Sequence, residues 1–302
     1  SRDLLEIILE SDPLSYLIPA HIWTPWFSAM GSKSGFDRMD DCFGDLSSHI
    51  FAVETGLSSD PAMNWRIEEL ANRSIVSFSD AHSPEKLGRE ATVFELAKLD
   101  FESLRKAIIQ DGKEKIAYTI EFYPEEGKYH FTGHRNCKVV YSPNDLRKMG
   151  LSCPVCGRAL TIGVMSRVEH LASTDVETKA QLDKFRVRWI KDRDDKRPPY
   201  AMLVPLLEII AECLSSTVGS QKVMNLYDIL VDTFGSEFKT LLETQLIEIE
   251  RIAGAKLAEG ISKVRSGDIV IEPGYDGVFG KVKIWSLDSA RDEKGIDQGA
   301  LF

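Results

Sequence analysis

Four residues of this chain are spaced to hold a single metal ion. His134 and Cys137 are separated by two residues, fifteen residues follow, and Cys153 and Cys156 repeat the two-residue gap. Such a gap lets both side chains of a knuckle turn toward one ion. Zinc takes four thiolate or imidazole ligands in a tetrahedron. Gly133 and Gly157 give backbone freedom beside the knuckles. Four protein ligands leave no open coordination position, so the site is expected to be structural, with the metal supplying folding energy to a segment too small to build its own core. His130 is a rival for the imidazole position. Cys42 and Cys213 sit among apolar residues and read as buried thiols.

A second set of residues could do chemistry rather than scaffolding. His21, Glu54, Asp80 and His82 each follow a short apolar, β-like run. An Asp-x-His pair on extended backbone puts both side chains on one side, because strand side chains alternate with period two. Carboxylate with imidazole suits zinc, manganese or iron. Two or three such ions can polarise a phosphodiester, generate hydroxide and stabilise the leaving oxygen. A histidine that merely satisfies a structural hydrogen bond is the competing reading, above all for His21.

The elements that must carry these residues follow from the pattern. Over residues 1–120, helix-like stretches (Ser1–Leu9, Ile67–Asn72, Asp100–Gln110) alternate with β-rich runs (Tyr16–Pro19, Ile50–Glu54, Ser74–Ser79). That alternation predicts an α/β fold with parallel strands, where polar residues after strand ends are the usual place for chemistry. Residues 121–170 form a glycine- and cysteine-punctuated module. The pattern from Val164 to about Ile190 reads as helical and charged, followed by a charged linker over Lys191–Pro199. Residues 203–262 are strongly helical, with apolar positions at helical spacing over Leu203–Leu214, Lys222–Phe234 and Phe238–Val264, and Asp268–Trp285 reads as a hairpin or two, with Pro273, Gly274, Asp276, Gly277 and Gly280 as turn signals. The polar stretch after Leu287 reads as a frayed end. Domains are therefore expected over 1–120, 121–170 and 171–302.

The 302-residue chain is 43% hydrophobic and 28% charged, an ordinary globular composition. It has no apolar run of about 18 residues, the length a membrane span needs, and no signal peptide at its start, so no membrane partner is expected. Five cysteines, an odd number, argue against a disulfide framework and for a reducing, cytoplasmic setting. A net charge of −10 means that any contact with nucleic acid must use a local basic surface or metal ions.

Longer strings carry a family resemblance. Pro19-Ala20-His21, Ala52 to Gly56 and Ser79 to His82 resemble the later metal-binding motifs of the PHP (polymerase and histidinol phosphatase) superfamily. The segments from His21 to Ser28, Gly31 to Phe36, Glu54 to Arg66, Asp80 to Arg89 and Phe122 to His130, then the Cys153 knuckle and Pro273 to Gly277, resemble endonuclease Q over nearly the whole chain. The resemblance implies a partial PHP-type barrel, a zinc-binding module and an α-helical C-terminal domain ending in a β-hairpin. It implies a metal-dependent DNA-repair endonuclease that nicks 5′ of deaminated or abasic nucleotides such as uracil and hypoxanthine. His21, Asp80 and His82 would be ligands to catalytic divalent metals (zinc, manganese or magnesium), and Glu54 would bind or support them. PHP proteins also carry a His-x-His motif on their first strand and further ligands before the motif that His21 matches. These are not in the chain, which implies that it begins partway through the domain and is inactive alone. The alternatives are a phosphoesterase for small phosphate esters and a degenerate PHP domain that binds nucleic acid or a partner without catalysis.

A DNA partner with a damaged base would be inspected outside the helical stack. Trp23, Trp26 and Phe27 could stack on bases, or be core. Lys33, Ser34, Arg66 and Arg89 could meet phosphate, the two arginines equally well serving surface ion pairs. Lys184, Arg186, Arg188, Lys191 and Arg193, with Trp189 interleaved, could follow a backbone, although Asp192, Asp194 and Asp195 favour a solvated face.

Overall fold

The computed structural model describes residues 1–286; the stretch expected to fray after Leu287 lies outside them. The chain divides into two compact units, one of residues 1–179, 190–201 and 273–281 and one of 180–189, 202–272 and, among described residues, 282–286.

The first unit opens with α1 (Arg2–Ser11) and a short α2 (Met39–Phe43), then β1 (Ala52–Glu54), α3 (Pro61–Trp65) and β2 (Ser74–Val76). β1 and β2 pair in parallel, Ala52 opposite Ser74 and Glu54 opposite Val76. This pair is the parallel α/β element that the sequence leads one to expect. β1 is buried along its length and β2 at Ser74 and Val76, and a core of Leu5, Ile22, Trp23, Met30, Met39, Phe43, Ile50, Val53 and Met63 packs beneath them. β3 (Ala91–Glu95), α4 (Phe101–Ile109) and β4 (Lys115–Glu121) follow, with β3 and β4 antiparallel and a bulge between Val93 and Phe94. β5 (Thr132–His134) and β6 (Val139–Tyr141) make a small antiparallel ladder. α5 (Pro143–Met149), closed by a capping box from Ser142 and Asp145, and α6 (Val164–Leu171) come next. β7 (Thr178–Leu182), β8 (Arg188–Asp192) and β9 (Tyr200–Met202) complete a five-stranded sheet of order β3-β4-β9-β8-β7.

The second unit contains α7 (Leu206–Cys213), α8 (Gln221–Phe234), α9 (Glu237–Leu242), α10 (Leu246–Ala253) and α11 (Ala255–Ser266). Its core is aliphatic: Leu206, Ile209, Ile210, Leu230, Ile249, Leu257, Ile261 and Val264 are all buried. Arg265 is buried among them. Its guanidinium donates to the carbonyls of Leu241, Thr240, Thr244 and Phe185, which tie the end of α9 to α11. Burial pushes its pKa down to about 10. β10 (Val270–Glu272) pairs with β11 (Lys281–Lys283), giving the terminal hairpin. Among described residues, no helix is long and apolar enough to cross a membrane.

Several local expectations give way. The helix from Val164 ends at Leu171, and the rest of the stretch to Ile190 forms β7 and β8, joined by a turn in which Asp183 accepts the amides of Phe185 and Val187. Lys191 and Asp192 belong to β8, and the rest of the expected linker, 193–199, connects β8 to β9. β7 is exposed at every position, so no alternation of buried and exposed side chains marks it as a strand. Ile67–Asn72 is a single 3-10 turn at Glu68–Leu70. Tyr16–Pro19 forms no named strand, although the Pro19 carbonyl accepts the Glu54 amide (3.1 Å). The long helix expected over Phe238–Val264 is interrupted at Glu243–Gln245 and at Gly254, whose φ of 85° ends α10.

Candidate metal centres

The structure brings His134, Cys137, Cys153 and Cys156 together, their ligand atoms all within 4.8 Å of one another. His134 ends β5 and Cys137 closes the one-turn 3-10 helix that follows, with Lys138 left-handed (φ 53°) to turn the chain into β6. The other knuckle is a tight turn: Cys153 donates its amide to the Arg158 carbonyl (2.7 Å), and Gly157 donates back to the Cys153 carbonyl (2.8 Å). Gly157 sits at φ 74°, where a Cβ would be strained. Only Val139, Cys153 and Leu160 are buried in the local core, with Tyr141 and Leu146 against them. So small a cluster has little apolar surface with which to hold the turns.

The donor set fits zinc. Tetrahedral zinc–thiolate bonds of about 2.3 Å put sulfurs about 3.8 Å apart, and His134 Nδ1 lies 3.5 Å from Cys156 Sγ. Desolvation, reinforced by the neighbouring thiols, pushes Cys137 up to about 11. Desolvation also raises Cys153, but the amides of Cys156 and Val155 and the His134 side chain outweigh it and hold the thiol at about 6. Crowded thiols that oppose one another's ionisation are the arrangement that a divalent cation relieves. His130 is not in the set: it is buried with Nδ1 unpartnered and its ring against Phe131, and burial pushes its pKa down to about 4. Of the other cysteines, Cys42 is buried and Cys213 half-buried.

The second set lies at the ends of the parallel strands. Glu54 is the last residue of β1, buried, and its Oε2 accepts the His21 backbone amide (2.8 Å). Burial pushes the Glu54 carboxyl up, against that hydrogen bond and the His21 charge. The approach depends on Gly56, where a Cβ would lie 2.5 Å from His21 Cβ. Asp80 and His82 follow β2 on an exposed loop, the His82 Nδ1 2.9 Å from the Asp80 carbonyl. His21 and Asp80 are both left-handed, at φ 34° and 44°. Non-glycine residues held in that region carry strain, which clusters at functional sites. Among described residues His21, Asp80 and His82 do not form a set of ligand atoms as close as the cysteine cluster.

The remaining residues are placed unevenly. Arg89 donates to the carbonyls of Ser79 (2.7 Å) and Asp80 (3.1 Å), so it holds the loop that carries Asp80 and His82. Arg66 pairs with Glu169 at 2.6 Å, and Glu169 also takes Arg147. Lys33 and Ser34 are exposed. Trp23 corrects the expectation of a stacking surface: it is fully buried, and its indole donates to Asn64 (2.7 Å). In the basic run, Arg193 pairs with Glu177 and the Trp189 indole donates to Asp183 (3.0 Å). A cleft of about 500 Å³ lined by Pro61, Trp65, Arg73, Ile116, Thr119 and Arg197 contains none of the candidate ligands.

Sequence reasoning passed over two buried carboxylates behind β1. Glu90 accepts the amides of Leu57 (3.1 Å) and Phe122 (3.3 Å). Glu121, fully buried at the end of β4, accepts the hydroxyls of Ser77 (2.5 Å) and Thr119. Burial pushes Glu121 up to about 7 and, with Glu121 as neighbour, Glu90 well above the carboxylate range. Glu90 next to Arg89 was the one available signal, since a lone glutamate in a β-rich run does not announce burial.

Comparison with known proteins adds to this geometry. Residues 205–268, α7 to α11, match the family described as the MJ0043 C-terminal domain. Uncharacterized protein MJ0043 of Methanocaldococcus jannaschii is 33% identical over 285 residues, which are 91% of this chain and 33% of that protein. Uncharacterized protein YqxK of Bacillus subtilis is 30% identical over 269 residues, 88% of this chain and 60% of its own length. The chain thus spans between a third and three fifths of these two relatives. The lesion-specific endonuclease PfuEndoQ from Pyrococcus furiosus has a solved structure that superposes with a TM-score of 0.77 at 31% identity, covering 96% of this chain and 69% of that one. Endonuclease Q in complex with a 27-mer duplex bearing an abasic lesion at the active site gives 0.77 at 32% identity, covering 94% and 67%. Identity at this level across two thirds of both solved chains, with a shared fold over nearly all of this one, means that the chain belongs to the endonuclease Q family.

Proposed function

We propose that this chain is part of a metal-dependent DNA-repair endonuclease that nicks DNA on the 5′ side of deaminated or abasic nucleotides, uracil and hypoxanthine among them. The observation that carries the reading is the likeness, over 94% of the chain, to an endonuclease Q bound to a duplex with an abasic lesion at its active site. A small phosphate ester would need neither the zinc-type cluster nor the helical unit.

His21, Asp80 and His82 would hold catalytic divalent ions, zinc, manganese or magnesium, which would supply Lewis-acid activation of water and charge neutralisation at the phosphate. Glu54 would position His21 through the backbone amide, and Arg89 would fix the Asp80 loop through its carbonyls. Lys33, Ser34 and, if freed from Glu169, Arg66 would meet the DNA backbone. The zinc ion at His134, Cys137, Cys153 and Cys156 would stabilise a module over 121–170 between a PHP part (1–120) and a helical part (171–302). With three candidate ligands in hand, the chain supplies part of a multinuclear site, and residues 1–302 alone are expected not to nick.

The test incubates end-labelled uracil, hypoxanthine and abasic duplexes with manganese or magnesium. It compares residues 1–302, the same chain with whatever its gene encodes upstream of Ser1, and the Asp80→Ala form of the latter. Nicking by the extended chain alone is expected. Equal cutting by Asp80→Ala removes Asp80 from the mechanism, and nicking by residues 1–302 overturns the incomplete-site reading.

A further inference from the structure

The loop after His21 presents one side chain that neither centre uses. Phe27 is 91% exposed and left-handed, at φ 58°. A bulky residue rarely adopts that conformation, and here it holds an apolar ring in water. The loop is not loose. The Phe27 amide donates to Ser34 Oγ (2.7 Å), the amides of Lys33 and Ser34 both donate to the Pro25 carbonyl (2.9 and 3.2 Å), and Ser28 Oγ donates to the Thr24 carbonyl (2.5 Å). The Met30 amide donates to the Ile22 carbonyl (2.8 Å), and both side chains are fully buried, which anchors the loop to the core. Such conformations persist where the surroundings over-determine them, and they cluster at functional sites.

The position ties this ring to the candidate catalytic residues. The Thr24 hydroxyl lies 3.5 Å from His21 Nδ1 and donates to the Trp26 carbonyl (3.1 Å), so His21 and the backbone at Phe27 share one hydrogen-bonded turn. Six residues reach at most about 20 Å even when fully extended, roughly the rise of six base pairs. A phosphate at His21 therefore brings the neighbouring nucleotides within range of Phe27. Lys33, exposed on the same loop, offers a cation for the adjoining phosphate.

We propose that Phe27 is a wedge that stacks into the gap left when a damaged nucleotide leaves the duplex. This rests on the DNA-repair reading above and adds to it the residue that recognises the gap. An apolar side chain inserted at a base step replaces the lost stacking, and a ring already fixed by its loop loses little conformational freedom on insertion.

The test measures binding of residues 1–302 to undamaged, uracil and abasic duplexes by fluorescence anisotropy, with 2-aminopurine 3′ to the lesion to report local unstacking. Phe27→Ala is expected to weaken abasic binding about tenfold, the scale of one base–aromatic stack. Binding to the undamaged duplex, carried by phosphate contacts, should stay within about twofold. The 2-aminopurine signal should be lost with Phe27→Ala and restored by Phe27→Trp. Phe27→Gly removes the ring and the left-handed penalty together, so it should melt no lower than the original chain yet bind abasic DNA as weakly as Phe27→Ala. If the chain binds and Phe27→Ala binds abasic DNA equally well, the wedge alone is overturned. If the unsubstituted chain binds none of the duplexes, the DNA-repair reading falls and the wedge with it.

Discussion

The two candidate metal centres use the chain in opposite ways. His134, Cys137, Cys153 and Cys156 come from one stretch in which a 3-10 turn, a left-handed lysine and a tight cysteine turn aim every donor at one point. His21, Glu54, Asp80 and His82 come from separate strand ends, and their placement depends on the β1–β2 register, on Gly56 and on Arg89. The first centre brings four donors together but has only a small apolar cluster around it. The second rests on a buried parallel pair, but among described residues its donors are not gathered as closely. Coordination would supply the order in one and packing in the other, so perturbations should separate them.

The largest effect is expected from Cys153→Ser. Loss of one thiolate should release the ion and unfold the turns around β5 and β6 at a cost of roughly 5 kcal/mol or more. Metal content and melting temperature measure it, and full retention of both would end the contrast. The parallel pair should be untouched, which amide exchange at Val53 and Ile75 can show.

The next effect is pH-dependent. His130 is held at about 4 in the folded chain, against about 6.5 when unfolded. Between these values the unfolded state binds more protons. Stability is therefore complete above about pH 6.5, falls as the pH drops and levels off below about pH 4, a change of about 3 kcal/mol. Protonation of the cysteine cluster also acts in this direction, so the comparison is with His130→Phe, whose melting temperature should fall less across the same window. Equal slopes would mean that the cluster alone carries the acid sensitivity.

Gly56→Ala acts on the other centre. A Cβ 2.5 Å from that of His21 on left-handed backbone should cost about 1–3 kcal/mol while zinc content stays unchanged. Loss of zinc in this variant would show that the two centres are coupled. The smallest stability effect is expected from Asp80→Asn. The residue is exposed, and asparagine tolerates the left-handed region, so stability should move by no more than about 0.5 kcal/mol. Calorimetric titration with manganese should nonetheless show weaker binding.

Legibility in the sequence followed the range of the interactions. The cysteine knuckles were readable because two-residue spacings encode their own geometry. Glu54 and the Asp80-x-His82 pair were readable because apolar runs of strand length end beside them. Trp23 was not, since its burial depends on Asn64, forty-one positions away. β7 and β8 were misread because β7 is exposed on both faces and β8 is partly covered along its length, so neither shows the two-residue alternation that separates strand from helix.

By itself the sequence determined the local chemistry: a four-ligand cluster, the donors that follow two parallel strands, a helical C-terminal part and a terminal hairpin. These depend on spacing, turn residues and apolar period, which neighbouring residues set. Only the tertiary structure decided that His134 rather than His130 joins the cysteines, that Trp23 belongs to the core while Phe27 stands in solvent, and that Glu90 and Glu121 are buried behind the strand ends. Burial is a property of what the rest of the chain packs against each side chain. It sets the desolvation that holds His130 at about 4 and raises Glu121 to about 7, and no spacing in the sequence contains it.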